Sequence, residues 1–308
     1  MTQPIALAGI GKIARDAHLP ALQRSSDWHL DATISRNASL DGIRAFKTME
    51  DFLADPGEVK TVSLSLPPAP RFDYAIKAMR AGLNVMLEKP PAVTLIECRK
   101  LIAEAEAQGV TLFLSWHSRM GAACNMARDR LKDARLKRLT IDWREDIRQF
   151  HPDQDWIWDA GNLGVFDPGI NAFSILARIL PDFPHVSKTH MIVPEGRETP
   201  IAADVAFTHP HGADMTCTLD WRHDGGPIWN MEIETDQGAF TLTRSGSGID
   251  DGDGEIDLGD ALDEYDHLYA RLAELVAKGT SETDTRPMEM VADAFLLGTR
   301  ETGAPFDW

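Results

Sequence analysis

An apolar run, Pro4-Ile-Ala-Leu-Ala-Gly-Ile10, stops at glycine and passes straight into a helical stretch expected over about 14–24; the join reads Gly9-Ile-Gly11-Lys-Ile-Ala14. A G-x-G-x-x-A spacing has mechanical meaning where a strand turns sharply into a helix. The glycines permit the tight turn and the close approach of a pyrophosphate, the alanine lets the helix lie on the sheet, and the helix N-terminus faces the anion. The chain is therefore expected to open with a dinucleotide-binding turn, with Gly9, Gly11, Lys12, Ile13 and Ala14 against the cofactor.

Beyond this turn the chain alternates between the two kinds of element. Strand-like runs at 30–35, 59–66, 84–87 and 110–115 are separated by helical stretches, one starting after Thr48, one over 71–80, and one from Thr94, with Glu97 as its capping-box partner, to Gly109. Short links between alternating strands and helices predict a parallel, doubly wound α/β sheet, a Rossmann domain over residues 1–117. From 118 the pattern changes. Helices are expected over 118–132 and 168–180, strands over 138–146, 186–193, 202–208, 214–222, 228–235 and 238–243, and closing helices over 261–278 and 287–299. This predicts a second, α+β domain over 118–308 with a mostly antiparallel open sheet.

The end of the second strand bears on the choice of nucleotide. NAD enzymes usually place an acid there for the ribose hydroxyls, whereas this chain has Ser35-Arg36-Asn37, and Asp31 sits near the start of the strand. A hydroxyl and a guanidinium suit a 2′-phosphate, which arginine can pair bidentately, so NADP is the first expectation and NAD the second. Leu66 and Pro67, where another strand ends, are also assigned to the cofactor.

Charge narrows the partners. Residues 1–117 hold 13 basic and 13 acidic side chains, while residues 118–308 hold 18 and 35, so the net charge of −17 lies in the second half. Such a field repels nucleic acid and anionic membrane. No run approaches a membrane span, and the N-terminus lacks a basic leader, which gives the expectation of a cytoplasmic protein. Three scattered cysteines read as buried free thiols, and no metal is expected. Asp250-Asp-Gly-Asp-Gly254 fails as a calcium loop because Ile249 falls at its first ligand position.

Glu88-Lys89-Pro90-Pro91, the glycine turn and the later Gly161-Asn-Leu-Gly-Val-Phe-Asp167-Pro-Gly-Ile-Asn171 occur in the order that resembles the Gfo/Idh/MocA family of NAD(P)-dependent oxidoreductases. The resemblance covers essentially the whole chain. It implies a C-terminal domain for substrate and oligomerisation, with a homodimer through its open sheet. It adds Glu88 and Lys89 to the cofactor contacts and makes Lys89, Asp167 and Asn171 the catalytic candidates. The family commonly has histidine where this chain has Asn171, so proton transfer is expected to pass to another residue. The finer pattern Gly11 to Pro20, with Ser35-Arg36 and the Asp/Asn pair, is similar to a bacterial branch that oxidises L-arabinose or D-galactose at C1. Another polyol such as an inositol remains an alternative, as does a nucleotide-binding regulator of sugar metabolism without turnover.

On this reading Lys89 holds the C1 oxygen, Asp167 is the base and Asn171 an anchor; the reverse, with Lys89 as base, stays open. Asp167 could also be only a helix N-cap before Pro168. Trp229 is expected to close over the sugar ring, with Lys89, His117, Glu145, His151, Asp167 and Asn171 meeting its hydroxyls, and Trp158 to support the Asp167 motif or the nicotinamide.

Overall fold

The computed structural model describes residues 2–259 and 263–308. Its first elements are β1 (Gln3–Ala8), α1 (Leu19–Arg24), β2 (Trp28–Ile34), β3 (Arg44–Phe46), α2 (Met49–Ala54), β4 (Thr61–Leu64), α3 (Pro68–Arg80), β5 (Asn84–Leu87), α4 (Leu95–Gln108) and β6 (Leu112–Leu114). Then come α5 (Ala122–Leu131), β7 (Leu136–Arg144), α6 (Ile147–Phe150), α7 (Phe166–Ile179), β8 (His185–Pro194), β9 (Ala202–Thr208), β10 (Asp214–Asp220), β11 (Ile228–Thr235), β12 (Gly238–Thr243) and β13 (Gly248–Asp250). The chain closes with α8 (Glu264–Lys278), α9 (Arg286–Leu297) and β14 (Gly298–Gly303).

In the first unit, six parallel strands lie in the order β3-β2-β1-β4-β5-β6. Strand order reverses between β1 and β4, the place where open α/β sheets bind ligands beyond their carboxyl ends. Strands β4 and β6 are buried along their whole length; β6 is accordingly apolar throughout, whereas β4 alternates Thr61 and Ser63 with Val62 and Leu64. Helix α4 starts on a complete capping box: Thr94 Oγ1 accepts from the Glu97 amide and Glu97 returns a bond to the Thr94 amide (3.2 Å).

The chain divides differently from the expected split at 117. The first unit takes the residues up to His117, and also α8 with the stretch running to Thr285; the second takes Ser118 through β13, with α9 and everything after it. Helix α8 returns because of its apolar face: Tyr265, Leu268, Tyr269, Leu272 and Leu275 are buried at helical spacing. It is also anchored. The Trp28 indole donates to the Tyr269 carbonyl (2.9 Å), Arg24 pairs with Asp266 (2.8 Å), and the Leu114 amide donates to the Glu282 carbonyl (3.0 Å). The first positions of the helix expected over 261–278 lie outside the described residues; Asp263 caps it by accepting from the Tyr265 amide (2.9 Å).

The second unit holds eight strands in the order β13-β12-β11-β7-β10-β9-β8-β14, antiparallel throughout except at β7–β10 and β8–β14. Strands β13 and β14 have no counterpart among the elements expected from the sequence. The first has three residues, too short for a period to show, and the second falls partly where the last helix was expected to continue. No helix among the described residues is long and apolar enough to cross a membrane.

Replacing Thr94 with alanine removes one half of the α4 capping box. It is expected to cost about 1 kcal/mol of stability, read as a lower urea midpoint with unchanged circular dichroism.

Candidate active site

The glycine turn is built by contact with Ser65 and Leu66, just past β4. Gly9 has φ +90°, and a Cβ there would stand 2.8 Å from the Leu66 nitrogen and 2.9 Å from the Ser65 carbonyl carbon, backbone atoms that cannot step aside. Ser65 fastens the turn from the other side, its hydroxyl donating to the Gly9 carbonyl (2.8 Å). Gly11 is the opposite case: a Cβ there would meet nothing within 4 Å, and beside it Ile13 is 40% exposed. An open backbone flank with an apolar side chain at a helix start fits a pyrophosphate and its adjoining sugar. Lys12 pairs with Asp16 one turn on. The helix continues through a wide turn over Ala14–His18, with Ala14 and His18 buried, before α1.

Past the end of β2, the Ser35 amide is held by the Phe46 carbonyl (2.9 Å), while Arg36 and Asn37 are exposed. Asp31 is committed elsewhere, accepting from the Arg44 guanidinium at 3.0 Å. Arg36 has no ion-pair partner among the described residues.

Lys89 follows β5, and the segment around it is held by buried side chains. The guanidinium of Arg71, on α3, donates to the carbonyls of Leu66 (3.0 Å), Glu88 and Pro90. The Glu88 carboxylate accepts from the Tyr265 hydroxyl (2.7 Å) and from the Lys89 amide (2.8 Å). His18 Nε2 lies 3.2 Å from the same carboxylate without making a hydrogen bond to it. Burial works against the charge on Glu88. The contact with His18, the nearby His117 and the Tyr265 hydroxyl outweigh it, and hold the carboxyl well below the usual range. His117 bonds Glu264 through Nδ1 (2.6 Å) and stacks on Tyr265. Burial likewise opposes its charge, but Glu264 carries its pKa above the ordinary value.

In the second unit, four residues expected at the site join one cluster. His151 Nε2 is 3.6 Å from Asp167 Oδ2, and its ring lies against Trp221. Trp221 donates to one Glu145 oxygen (3.1 Å) and Trp229 to the other (2.8 Å). Glu145 is buried, whereas Trp229, His151 and Asp167 are partly exposed. The turn before α7 depends on Gly164, at φ +55°, where a Cβ would stand 2.4 Å from the Pro200 carbonyl oxygen. The cap position of α7 falls on Val165, so Asp167 lies inside the first turn rather than capping it. Asn171 follows four residues later on the same face, its side-chain amide without a hydrogen-bond partner among the described residues.

Trp158 departs from its expected place beside the nicotinamide. It is 1% exposed, its ring enclosed by Trp221, Phe306, Trp308 and the Arg197 guanidinium, and so it presents no face to a ligand. Sequence reasoning also missed Arg71, Tyr265 and Trp221. Arg71 could have been found as a charged residue inside a helix of the buried layer; Tyr265 and Trp221 carry no local signal.

A glycine turn at the switch point of a parallel six-stranded sheet is the nucleotide-holding device of Rossmann-type oxidoreductases. The chain belongs to the Gfo/Idh/MocA oxidoreductase family. The family model described as "Oxidoreductase family, NAD-binding Rossmann fold" matches residues 4–115. The chain is 33% identical over 300 residues to a galactose 1-dehydrogenase of Pseudomonas fluorescens, covering 97% of each. It superposes with a TM-score of 0.95 on a D-galactose-1-dehydrogenase structure from Rhizobium etli at 41% identity, covering 100% of this chain and 99% of that one. A 3-ketoreductase from Actinomadura kijaniata, solved with NADP and TDP-benzene, shares the fold at a TM-score of 0.82 and 17% identity, with 100% of both chains covered.

The depressed Glu88 pKa has a sign. The carboxylate contributes stability that is fully present above its unfolded pKa of about 4.3 and lost as pH falls toward its folded value. Glu88→Gln is therefore expected to melt below the parent at pH 7, with the gap narrowing as pH falls below about 4.3, read by melting temperature against pH.

Proposed function

We propose that the protein oxidises an aldopyranose, D-galactose or L-arabinose, at C1 to the aldonolactone, with NADP preferred over NAD. The observation that carries this reading is the likeness along 97% of the chain to a galactose 1-dehydrogenase. Two features favour NADP: the exposed Arg36 beyond β2, and an Asp31 already paired with Arg44.

When bound, the nicotinamide accepts the hydride leaving C1. The chain must then take the hydroxyl proton and steady the oxygen as it becomes a carbonyl. The Lys89 ammonium is assigned to that oxygen and Asp167 to the proton, with Asn171 donating to the substrate from the next turn of α7. His151, beside Asp167, is assigned to orienting that carboxylate and to a sugar hydroxyl. Glu145 holds the Trp221 and Trp229 indoles, so that the partly exposed Trp229 offers its face to the ring. The two sugars share stereochemistry at C2–C4 and differ at C5, so one site can take both. Asn171, where the family commonly has a protonatable histidine, favours one second reading: a nucleotide-binding regulator without turnover.

Reduced-nicotinamide absorbance should rise fast with NADP and D-galactose or L-arabinose, and slowly or not at all with D-glucose, D-xylose or myo-inositol. Silence across the panel together with tight NADP binding would favour the regulator. In the active protein, Asp167→Asn is expected to lower kcat about 10²–10⁴-fold with NADP affinity kept, measured by initial rates and calorimetry. Survival of an alkaline limb of lysine character in that variant would move the base to Lys89.

A further inference from the structure

Beyond β5 the chain has few donors with which to anchor itself. Pro90 and Pro91 have no amide hydrogen, and the Glu88 amide completes the sheet by donating to the Leu64 carbonyl (3.1 Å). The Lys89 amide is therefore the only backbone donor left in the Glu88–Pro91 motif, and its acceptor is the Glu88 side chain at 2.8 Å. The position of Lys89 thus depends on where the Glu88 carboxylate stands.

We infer that Tyr265 is a positioning residue for Lys89: by holding one oxygen of Glu88 it aims the other at the Lys89 amide. The hydroxyl reaches Glu88 Oε1 at 2.7 Å from a residue 177 positions further along the chain. The other contact on that oxygen, His18 Nε2 at 3.2 Å, is not a hydrogen bond, which leaves the Tyr265 hydroxyl as the side-chain donor that directs the carboxylate. Tyr265 is itself fixed on three sides. Its ring is stacked on His117 (5.5 Å, 22°), the edge of His18 meets it at 4.9 Å, and its amide is bonded to the Asp263 cap. Burial and the adjacent Glu88 charge push its own pKa well up, so the hydroxyl keeps the proton it donates. Arg71 holds the Glu88 and Pro90 carbonyls, and Tyr265 acts through the carboxylate on the remaining amide. Helix α8 therefore contributes to the site through the Glu88 carboxylate.

The catalytic consequence rests on the sugar oxidation proposed above; the structural one does not. The test is Tyr265→Phe, which keeps the ring and removes the hydroxyl, with Asp266→Asn as a control that loosens only the Arg24 contact of α8. Hydrogen exchange followed by mass spectrometry on the peptide spanning 86–92 reads the motif cleanly, because its two prolines contribute no amide. In Tyr265→Phe the Lys89 amide should exchange at least about 10-fold faster while the Glu88 amide is unchanged, and kcat should fall about 10-fold with the KM for NADP within twofold of the parent. In Asp266→Asn both readouts should stay at parent values. Glu88→Gln places an amide NH2 against one of the two donors and should loosen the Lys89 amide likewise, which keeps the test open should Tyr265→Phe not fold. Unchanged protection of the Lys89 amide overturns the inference, and so does a loosened amide with parental kcat. A parent protein that turns over no sugar overturns the proposed reaction instead, and leaves the placement of Lys89 to be decided by exchange.

Discussion

A carboxylate taken out of water costs several kcal/mol unless its oxygens are matched by donors. Glu88 is 3% exposed, and meeting its needs organises much of the first unit. His18 comes from the helix after the glycine turn, Tyr265 from α8, and the Lys89 amide from the motif itself. Once those are in place the nucleotide turn, the returning helix and the candidate catalytic lysine share one buried anchor. The return of α8 to the first unit has a polar reason as well as an apolar one.

The second unit solves a similar problem with different chemistry. Glu145 is also buried, and two indole N–H groups, from Trp221 and Trp229, take one oxygen each. Two large rings are thus fixed by one acid. Trp229 is thereby held partly exposed, while Trp221 supports His151 beside Asp167. In both units partly exposed groups are positioned by buried acids behind them.

How much could be read in advance depended on how local each signal is. The glycine turn, the capping box of α4 and the parallel alternation need only neighbours in sequence, and each lies where expected. The missing acid after β2 was equally plain, because a strand end is a local feature. Helix α8 was visible as a helix, but its apolar stripe does not say which core will bury it. The short β13 and the edge strand β14 exist only through pairing with a neighbour. Trp158 was misplaced as a nicotinamide neighbour because position in sequence says nothing about what encloses a ring in space.

The sequence by itself determined a dinucleotide-binding first unit, the nature of its turn, the absence of an acid where NAD enzymes carry one, and the residue types available for proton transfer. These follow from backbone sterics and from chemistry carried on contiguous residues. Only the tertiary structure decided that α8 belongs with the first unit, that Glu145 is spent on two tryptophans, and that Tyr265 stands behind Lys89. Those are contacts between groups up to 242 residues apart, chosen by which buried charges and rings must satisfy one another when the chain closes.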